Sequence, residues 1–438
     1  MPERKLSESS SGSSSDGEPV LTTANDLVVT KYGMAADIVN YVLKTLIAEI
    51  KEDVEVSYLC DMGDKLLTEK TSKIFKKEKN LQKGIAMPTC ISIDNCICHF
   101  SPLRSDPPVK LAKGQMVKID LGAHIDGFIA TAAHTVVVGA SKDEKVQGNK
   151  ANVIKAAYEA LEIAIRSLRP DTKNSEITES IDKVAEQYGV KPIENMLSHN
   201  LERNKIDGDK QIIQNPGEKQ KNEIEKSTVE LHDVFAIDVL FSTGDGKARD
   251  MDTRTTVFKK ADEVVYQLKM KASRAFISDA MAKFGSMPFT LRAFDEEVKA
   301  KMGVLECERH MLVKPYQVLY EKEGDVVAQF KCTVLVMPNG LMKIAGLPLD
   351  TDSLEPTAKL DDAALIAKLN QPLKSKKKKA DGEKKDGESE KETKKDGEKK
   401  EVKKDGAKKD GDKKEVKKDS EKKSEPSKKD DKTKKDKK

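Results

Sequence analysis

Tryptophan is absent from this 438-residue chain, and eight tyrosines with eleven phenylalanines hold aromatics to 4% of the sequence. Surfaces that stack unpaired bases are built from such rings, so their scarcity argues against a base-stacking platform. No run approaches the roughly 18 uninterrupted apolar residues of a membrane-spanning helix. The opening M-P-E-R-K-L-S-E also lacks the apolar core of a secretory leader, and the chain is expected to be soluble and intracellular. C-x-x-C spacing is missing too. Cys60, Cys90, Cys96, Cys98, Cys307 and Cys332 lie in apolar surroundings, as reduced core thiols do. Cys96, Cys98 and His99 do not read as a zinc site, because adjacent strand residues point to opposite faces.

What is present divides into three zones. Residues 1 to about 20 are rich in Ser, Gly and acid and have too little apolar content to offset the entropy of ordering, so disorder is expected. From Lys374 to Lys438 the chain is Lys, acid, Gly and Ser, with K-K-D-G recurring at Lys384, Lys394, Lys403 and Lys408. This low-complexity tail carries ten more basic than acidic residues; with +4 for the whole chain, everything before it is net acidic. Disorder is expected here as well. Residues 21–373 remain as one folded domain.

Within that domain the apolar period alternates between helical and extended. Ala35, Val39, Val42, Leu43, Leu46, Ile47 and Ile50 mark a helix over about Thr30 to Lys51, and a second is expected from Ser57 to Lys79. Cys90 to Phe100 reads as two short strands around a D-N turn, and Gln115–Gly122 with Phe128–Val138 as an antiparallel pair. Helices follow at Ala151–Leu168 and Ser175–Tyr188, and strands at Glu230–Phe241 and near Arg254–Phe258. Two more helices, Asp262–Phe284 and Leu291–Met302, precede a hairpin of Gln317–Glu321 and Val326–Met337. Helix pairs between antiparallel strands predict a duplicated α+β unit around a shared pocket.

Two strand-like runs each contain one aspartate: V-K-I-D-L-G around Asp120 and F-A-I-D-V-L around Asp238. A carboxylate buried in such a run needs a metal, a cation or several donors. The identity of that partner separates a hydrolase from a binding protein.

G-I-A-M-P-T-C-I-S-I-D-N-C-I-C-H-F, V-K-I-D-L-G-A-H-I-D-G-F, L-S-H, F-A-I-D-V-L-F-S-T-G-D-G and A-Q-F-K-C-T-V-L-V-M-P-N-G together resemble the methionine aminopeptidase type II family over about residues 20–350. I-F-K-K-E-K, C-H-F-S-P-L, I-I-Q-N-P, M-P-F-T-L-R-A-F and L-Y-E-K-E-G resemble more closely its proliferation-associated 2G4 (ErbB-3-binding) branch, whose members look like the enzyme without its chemistry. The resemblance implies a pita-bread fold with pseudo-twofold halves. In the active family a histidine and several carboxylates hold two divalent ions, two of the carboxylates bridging both. Carried across, Asp120 stands at the non-bridging Asp, His199 at the His, and Asp238, one methylene shorter, at the Glu. The bridging positions fall on Thr131 and Lys331. His99 matches the enzyme's proton-donating histidine, and Asp207 replaces a further family histidine. The resemblance therefore implies no catalytic residue, cofactor or metal, with a Lys331 salt bridge inside the old pocket. The alternative is an active aminopeptidase with one ion held by Asp120, His199 and Asp238, since three ligands suffice for one metal. A third reading is a cleft that binds chain N-termini.

The basic segments suggest partners. K-I-F-K-K-E-K-N-L-Q-K places Lys73, Lys76, Lys77, Lys79 and Lys83 in and just after the second helix, where Lys73, Lys76 and Lys77 would share a face suited to phosphates. Lys374, Lys376, Lys377, Lys378 and Lys379 form the densest cluster, fitting phosphate attraction or a nuclear or nucleolar address. The resemblance implies binding to structured and ribosomal RNA and to the large ribosomal subunit near the nascent-chain exit. It also implies contacts with nuclear co-regulators and a receptor tail, a monomer, and residence in cytoplasm, nucleus and nucleolus. One departure is A-L-I-A-K-L, where Lys368 interrupts the L-x-x-L-L docking motif of some relatives.

Overall fold

The computed structural model describes residues 21–261 and 264–374; the Ser-rich start and the lysine cluster from Lys376 onward lie outside the described residues. Helix α1 (Asp26–Glu49) begins a turn earlier than its apolar spacing suggested, because the Asn25 side chain accepts from Leu27 N and caps it. Helix α2 (Val56–Ser72) ends a turn or two early. Lys73 takes the cap position, Phe75 turns left-handed at φ 44°, and Lys83 Nζ donates to the carbonyls of Ile74 and Phe75. Ile74, Phe75 and Leu81 pack against the α1–α2 core, which draws the chain off the helical path. Lys73, Lys76 and Lys77 therefore do not share a helix face.

Strands β1 (Lys83–Ile93), β2 (Cys96–Cys98), β3 (Met116–Ile125) and β4 (Phe128–Val137) come next, then α3 (Gly148–Ser167) and α4 (Asn174–Tyr188). β5 (Leu197–Asn200), β6 (Gln211–Ile213), β7 (Val234–Ser242) and β8 (Val257–Lys260) precede α5 (Lys271–Phe284) and α6 (Glu297–Arg309). β9 (Val313–Tyr316), β10 (Leu319–Tyr320), β11 (Val327–Met337), β12 (Gly340–Ala345) and α7 (Ala363–Leu369) complete the elements used below. The expected β3–β4 hairpin is present in continuous register from Met116↔Val137 to Ile125↔Phe128.

Two other expected hairpins are not. β1 pairs with β3, whereas β2 pairs with β10. The D-N turn between β1 and β2 is used at long range: Glu321 N donates to Asn95 O, Val327 N to Asp94 O, and Asn95 Nδ2 to Glu321 O. β10 and β11 likewise part company, β11 running beside β7 from Val327↔Ser242 to Leu335↔Val234. The helix expected from Asp262 starts at Lys271. The one expected at Leu291 begins as a short 3-10 turn, Leu291–Ala293, before α6.

The main sheet has nine strands among the described residues, with the order β1-β3-β4-β11-β7-β5-β6 along its spine, β12 beside β11, and the two-residue strand Lys191–Pro192 beside β7. Alternation assigns one face to the helices. Val117, Ile119, Leu121, Ala123 and Ile125 of β3 pack with α1 and α2, and Phe235, Ile237, Val239 and Phe241 of β7 pack with α3. This is the pita-bread α+β fold, with two related halves meeting at β4 and β11. A separate cluster joins α5 and α6 to β8 and β9 through Phe258, Phe276, Phe289 and Phe294. Buried Arg292 connects this unit to α2, reaching Asp61 at 2.9 Å and Asp64 at 2.6 Å. No helix among the described residues is long and apolar enough to cross a membrane.

Candidate functional site: a lysine between two buried aspartates

Strand register creates the site. Cys90 of β1 lies opposite Asp120 of β3, Asp120 opposite Ala133 of β4, Ala133 opposite Lys331 of β11, and Lys331 opposite Asp238 of β7. Directly opposed residues share a face, so these five side chains form a row on the side away from the helices. Ala133, the small residue in the middle, leaves room for the lysine to reach across. Lys331 Nζ lies 2.6 Å from Asp120 Oδ2 and 2.9 Å from Asp238 Oδ2. The salt bridge expected from the sequence is present, with Lys331 engaging both aspartates.

Around this row the partners are fixed by alternation. Gln329, two residues before Lys331, donates through Nε2 to both oxygens of Asp238 at 2.9 and 3.1 Å. Its own backbone N donates to Thr135 Oγ1, which donates back to Gln329 O. Thr131 N donates to Thr333 Oγ1, which donates to Thr131 O, tying β4 to β11. Asp120 Oδ1 and Thr131 Oγ1 are shielded from solvent and have no partner.

The histidines border the cleft rather than enter the ion pair. His199 on β5, opposite Ala236, directs Nδ1 at Gly208 O, 3.2 Å away. His99 adopts a left-handed backbone at φ 63°, places Nδ1 3.0 Å from Gln317 O and meets the Tyr316 ring edge-on at 5.1 Å. Burial lowers the pKa of both rings. Asp207 pairs closely with buried Lys259, a second place where a lysine answers a cleft carboxylate. The cleft encloses 230 Å³.

Two carboxylates and one ammonium leave this row one negative charge in excess. Burial works against a charged Lys331, but Asp120 and Asp238 outweigh it and hold the ammonium well above its usual range. Asp238 is pushed up, first by burial and also by Asp120, against the pull of Lys331. A dication placed among these ligands would sit beside the ammonium. At 4 Å and an effective dielectric of 20 that repulsion is roughly 8 kcal/mol. The residues present do not fit a bridged metal pair, and among the described residues no group of three or more His, Cys, Asp or Glu is arranged to hold an ion. The same ammonium argues against a single ion held by Asp120, His199 and Asp238.

A family model described as metallopeptidase family M24 matches residues 31–250. The chain is 44% identical to "ERBB-3 binding protein 1" of Arabidopsis thaliana over 84% of this chain and 91% of that protein. It is 38% identical to "Curved DNA-binding protein" of Schizosaccharomyces pombe, over 82% and 94% respectively. The chain belongs to metallopeptidase family M24. Within this family it groups with the ERBB-3 binding and proliferation-associated proteins. A solved structure of a thermophilic Arx1 superposes with a TM-score of 0.75 at 30% identity, covering 80% of this chain and all of the other. The M24 scaffold is therefore common ground, and in this chain it carries the Lys331 row.

The lysines singled out for nucleic acid separate into two groups. Exposed Lys73 pairs with Glu69, and Lys83 donates to the carbonyls that close the turn after α2. Lys76, Lys77 and Lys79 are exposed and make no ion pair among the described residues. Lys374 is exposed at a bridge to Gly340; Lys376, Lys377, Lys378 and Lys379 lie outside the described residues. In α7, Leu365 and Leu369 pack into the core beside the interrupting Lys368.

Sequence reasoning passed over Gln329, Thr333, Lys259 and the buried Lys118. Gln329 and Thr333 flank Lys331 at the two-residue spacing of a strand, a signal that was available. Lys118 lies inside the same V-K-I-D-L-G run as Asp120; its Nζ donates to Asp94 O at 2.8 Å, and burial pushes its pKa down to about 8.

Proposed function

We propose that this protein is a non-catalytic scaffold that binds structured RNA and the ribosome through phosphate contacts, in cytoplasm and nucleus. The observation that carries the non-catalytic part is the Lys331 ammonium between Asp120 and Asp238, where a hydrolase of this family would need cation-binding carboxylates. Support for the binding part comes from exposed Lys76, Lys77 and Lys79 beside a chain with no tryptophan, a combination suited to phosphate and shape recognition. The fission-yeast relative is named for binding curved DNA, another polyphosphate recognised by shape. Nuclear co-regulators and a receptor tail belong to the same proposal, the latter suggested by the relatives named for ERBB-3.

The test is cosedimentation of the full chain with ribosomes across a salt series, alongside a methionyl-peptide cleavage assay with added Co²⁺ or Mn²⁺. The expected result is ribosome binding that falls by roughly 0.9 log unit per log of salt for each duplex phosphate contacted, a shallower slope in K76A/K77A/K79A, and no cleavage. Salt-independent binding, or turnover abolished by His199→Ala, would contradict the proposal.

A further inference from the structure

On the helix-covered side of the sheet, opposite the Lys331 cleft, a second cavity of 490 Å³ lies where the two halves meet. Ile47 and Ile50 from the end of α1, Val137 of β4, Ile154 of α3 and Leu349 supply its apolar lining. His134 of β4 forms part of the wall. It is 5% exposed and sits edge-on to Phe330 at 5.1 Å, and its Nδ1 is shielded from solvent with no hydrogen-bond partner.

Burial, helped by the nearby Lys343 ammonium, lowers the His134 pKa to about 4. The ring is thus neutral at physiological pH, with one nitrogen donating and the other accepting. Buried polar atoms nearly always find a partner, and a half-turn about χ2 exchanges Nδ1 with Cδ2 while preserving the ring's shape. The other polar side chains of the wall are already engaged: Thr135 Oγ1 donates to Gln329 O, and Ser353 Oγ donates to Asp350 O. A lone water needs two to four polar partners, so His134 by itself holds one poorly. The charged residues, Lys44 and Asp350, are exposed at the rim. The volume falls within the roughly 300–1,000 Å³ of small-molecule sites.

We propose that this cavity binds a small uncharged molecule with an apolar ring or short aliphatic body and one hydroxyl or N–H group hydrogen-bonded to His134. The site is separate from the cleft and does not depend on how the cleft or the lysines are read.

The probes are p-cresol and 4-methylanisole, which share a body and differ in the O–H. They are titrated into the full chain carrying ¹³C-labelled isoleucine methyls and ¹⁵N-labelled histidine. The expected result is a saturable shift of the Ile47, Ile50 and Ile154 methyls and of the His134 ring nitrogens with p-cresol. The methyl ether should bind at least about tenfold weaker, the loss of a hydrogen bond to a buried partner. His134→Phe should erase that preference. Val137→Phe, which puts a bulkier side chain in the cavity lining, should remove binding of both probes and keeps the test decisive if His134→Phe folds poorly. Absence of saturable shifts at these methyls, equal affinity for the two probes, or undiminished p-cresol binding in Val137→Phe would overturn the proposal.

Discussion

The two faces of β4 and β11 are made from alternating residues of the same strands, yet they hold the protein together in different ways. Facing the helices, Phe330, Cys332 and Val334 join a continuous apolar core in which any large hydrophobic side chain of similar shape contributes. Facing the cleft, Gln329, Lys331 and Thr333 reach specific partners across the strands, and Thr131 joins them through its backbone. The first face supplies stability from area; the second supplies little net stability and a fixed arrangement of charge. In an active M24 enzyme the second face would hold cations, and here an amine on the chain itself takes that place.

The largest effect should come from breaking the charged face on one side only. Lys331→Met leaves two buried carboxylates without their cation and should cost about 3–5 kcal/mol at pH 7 in urea unfolding. Asp238 is already raised by burial and by Asp120, and losing the ammonium raises it further. A folded-state value above the unfolded one means the folded state takes up protons more readily. The deficit should therefore be greatest at neutral pH and shrink as pH falls through the folded Asp238 value toward about 4. The combination Asp120→Asn, Lys331→Met and Asp238→Asn should recover most of the loss, because it removes the charge along with its partner. A triple variant as unstable as Lys331→Met would mean that lysine packing, not charge pairing, is what matters.

On the other face, Phe330→Ala should cost about 3–5 kcal/mol, with no pH dependence of the Asp238 kind. Finding such a dependence would show that the two faces are not independent. Gln329→Leu is milder. It removes the amide donor from Asp238 and should cost about 1–3 kcal/mol, while moving the Asp238 titration to higher pH by NMR. The smallest effect belongs to K76A/K77A/K79A, whose unfolding free energy should stay within about 0.5 kcal/mol of the parent although RNA binding weakens.

The contrast also explains what was legible in the sequence. Asp120 and Asp238 stand out because each interrupts a local apolar strand pattern, and local pattern is what a sequence displays; Lys331 is reached only through the family resemblance, at a position where the active enzymes carry a bridging carboxylate. That Lys331 meets both aspartates depends on register across β3, β4, β11 and β7, which join residues 211 positions apart for Asp120. Long-range register leaves no local trace. The misplaced hairpins have the same origin: Asp94 and Asn95 resemble an ordinary turn, but their hydrogen bonds go to Glu321 and Val327. The end of α2 was hidden by Phe75, whose left-handed turn is stabilised by packing and by Lys83 rather than by a glycine. The lysine face inferred for that helix dissolved with it, leaving Lys76, Lys77 and Lys79.

Calorimetric titration of Co²⁺ into the metal-stripped wild-type protein at pH 7 tests the central claim most directly. With Lys331 protonated between Asp120 and Asp238, no saturable binding is expected in the cleft and the ring signals of His199 should stay in place. Stoichiometric binding with displacement of the His199 signals would contradict it.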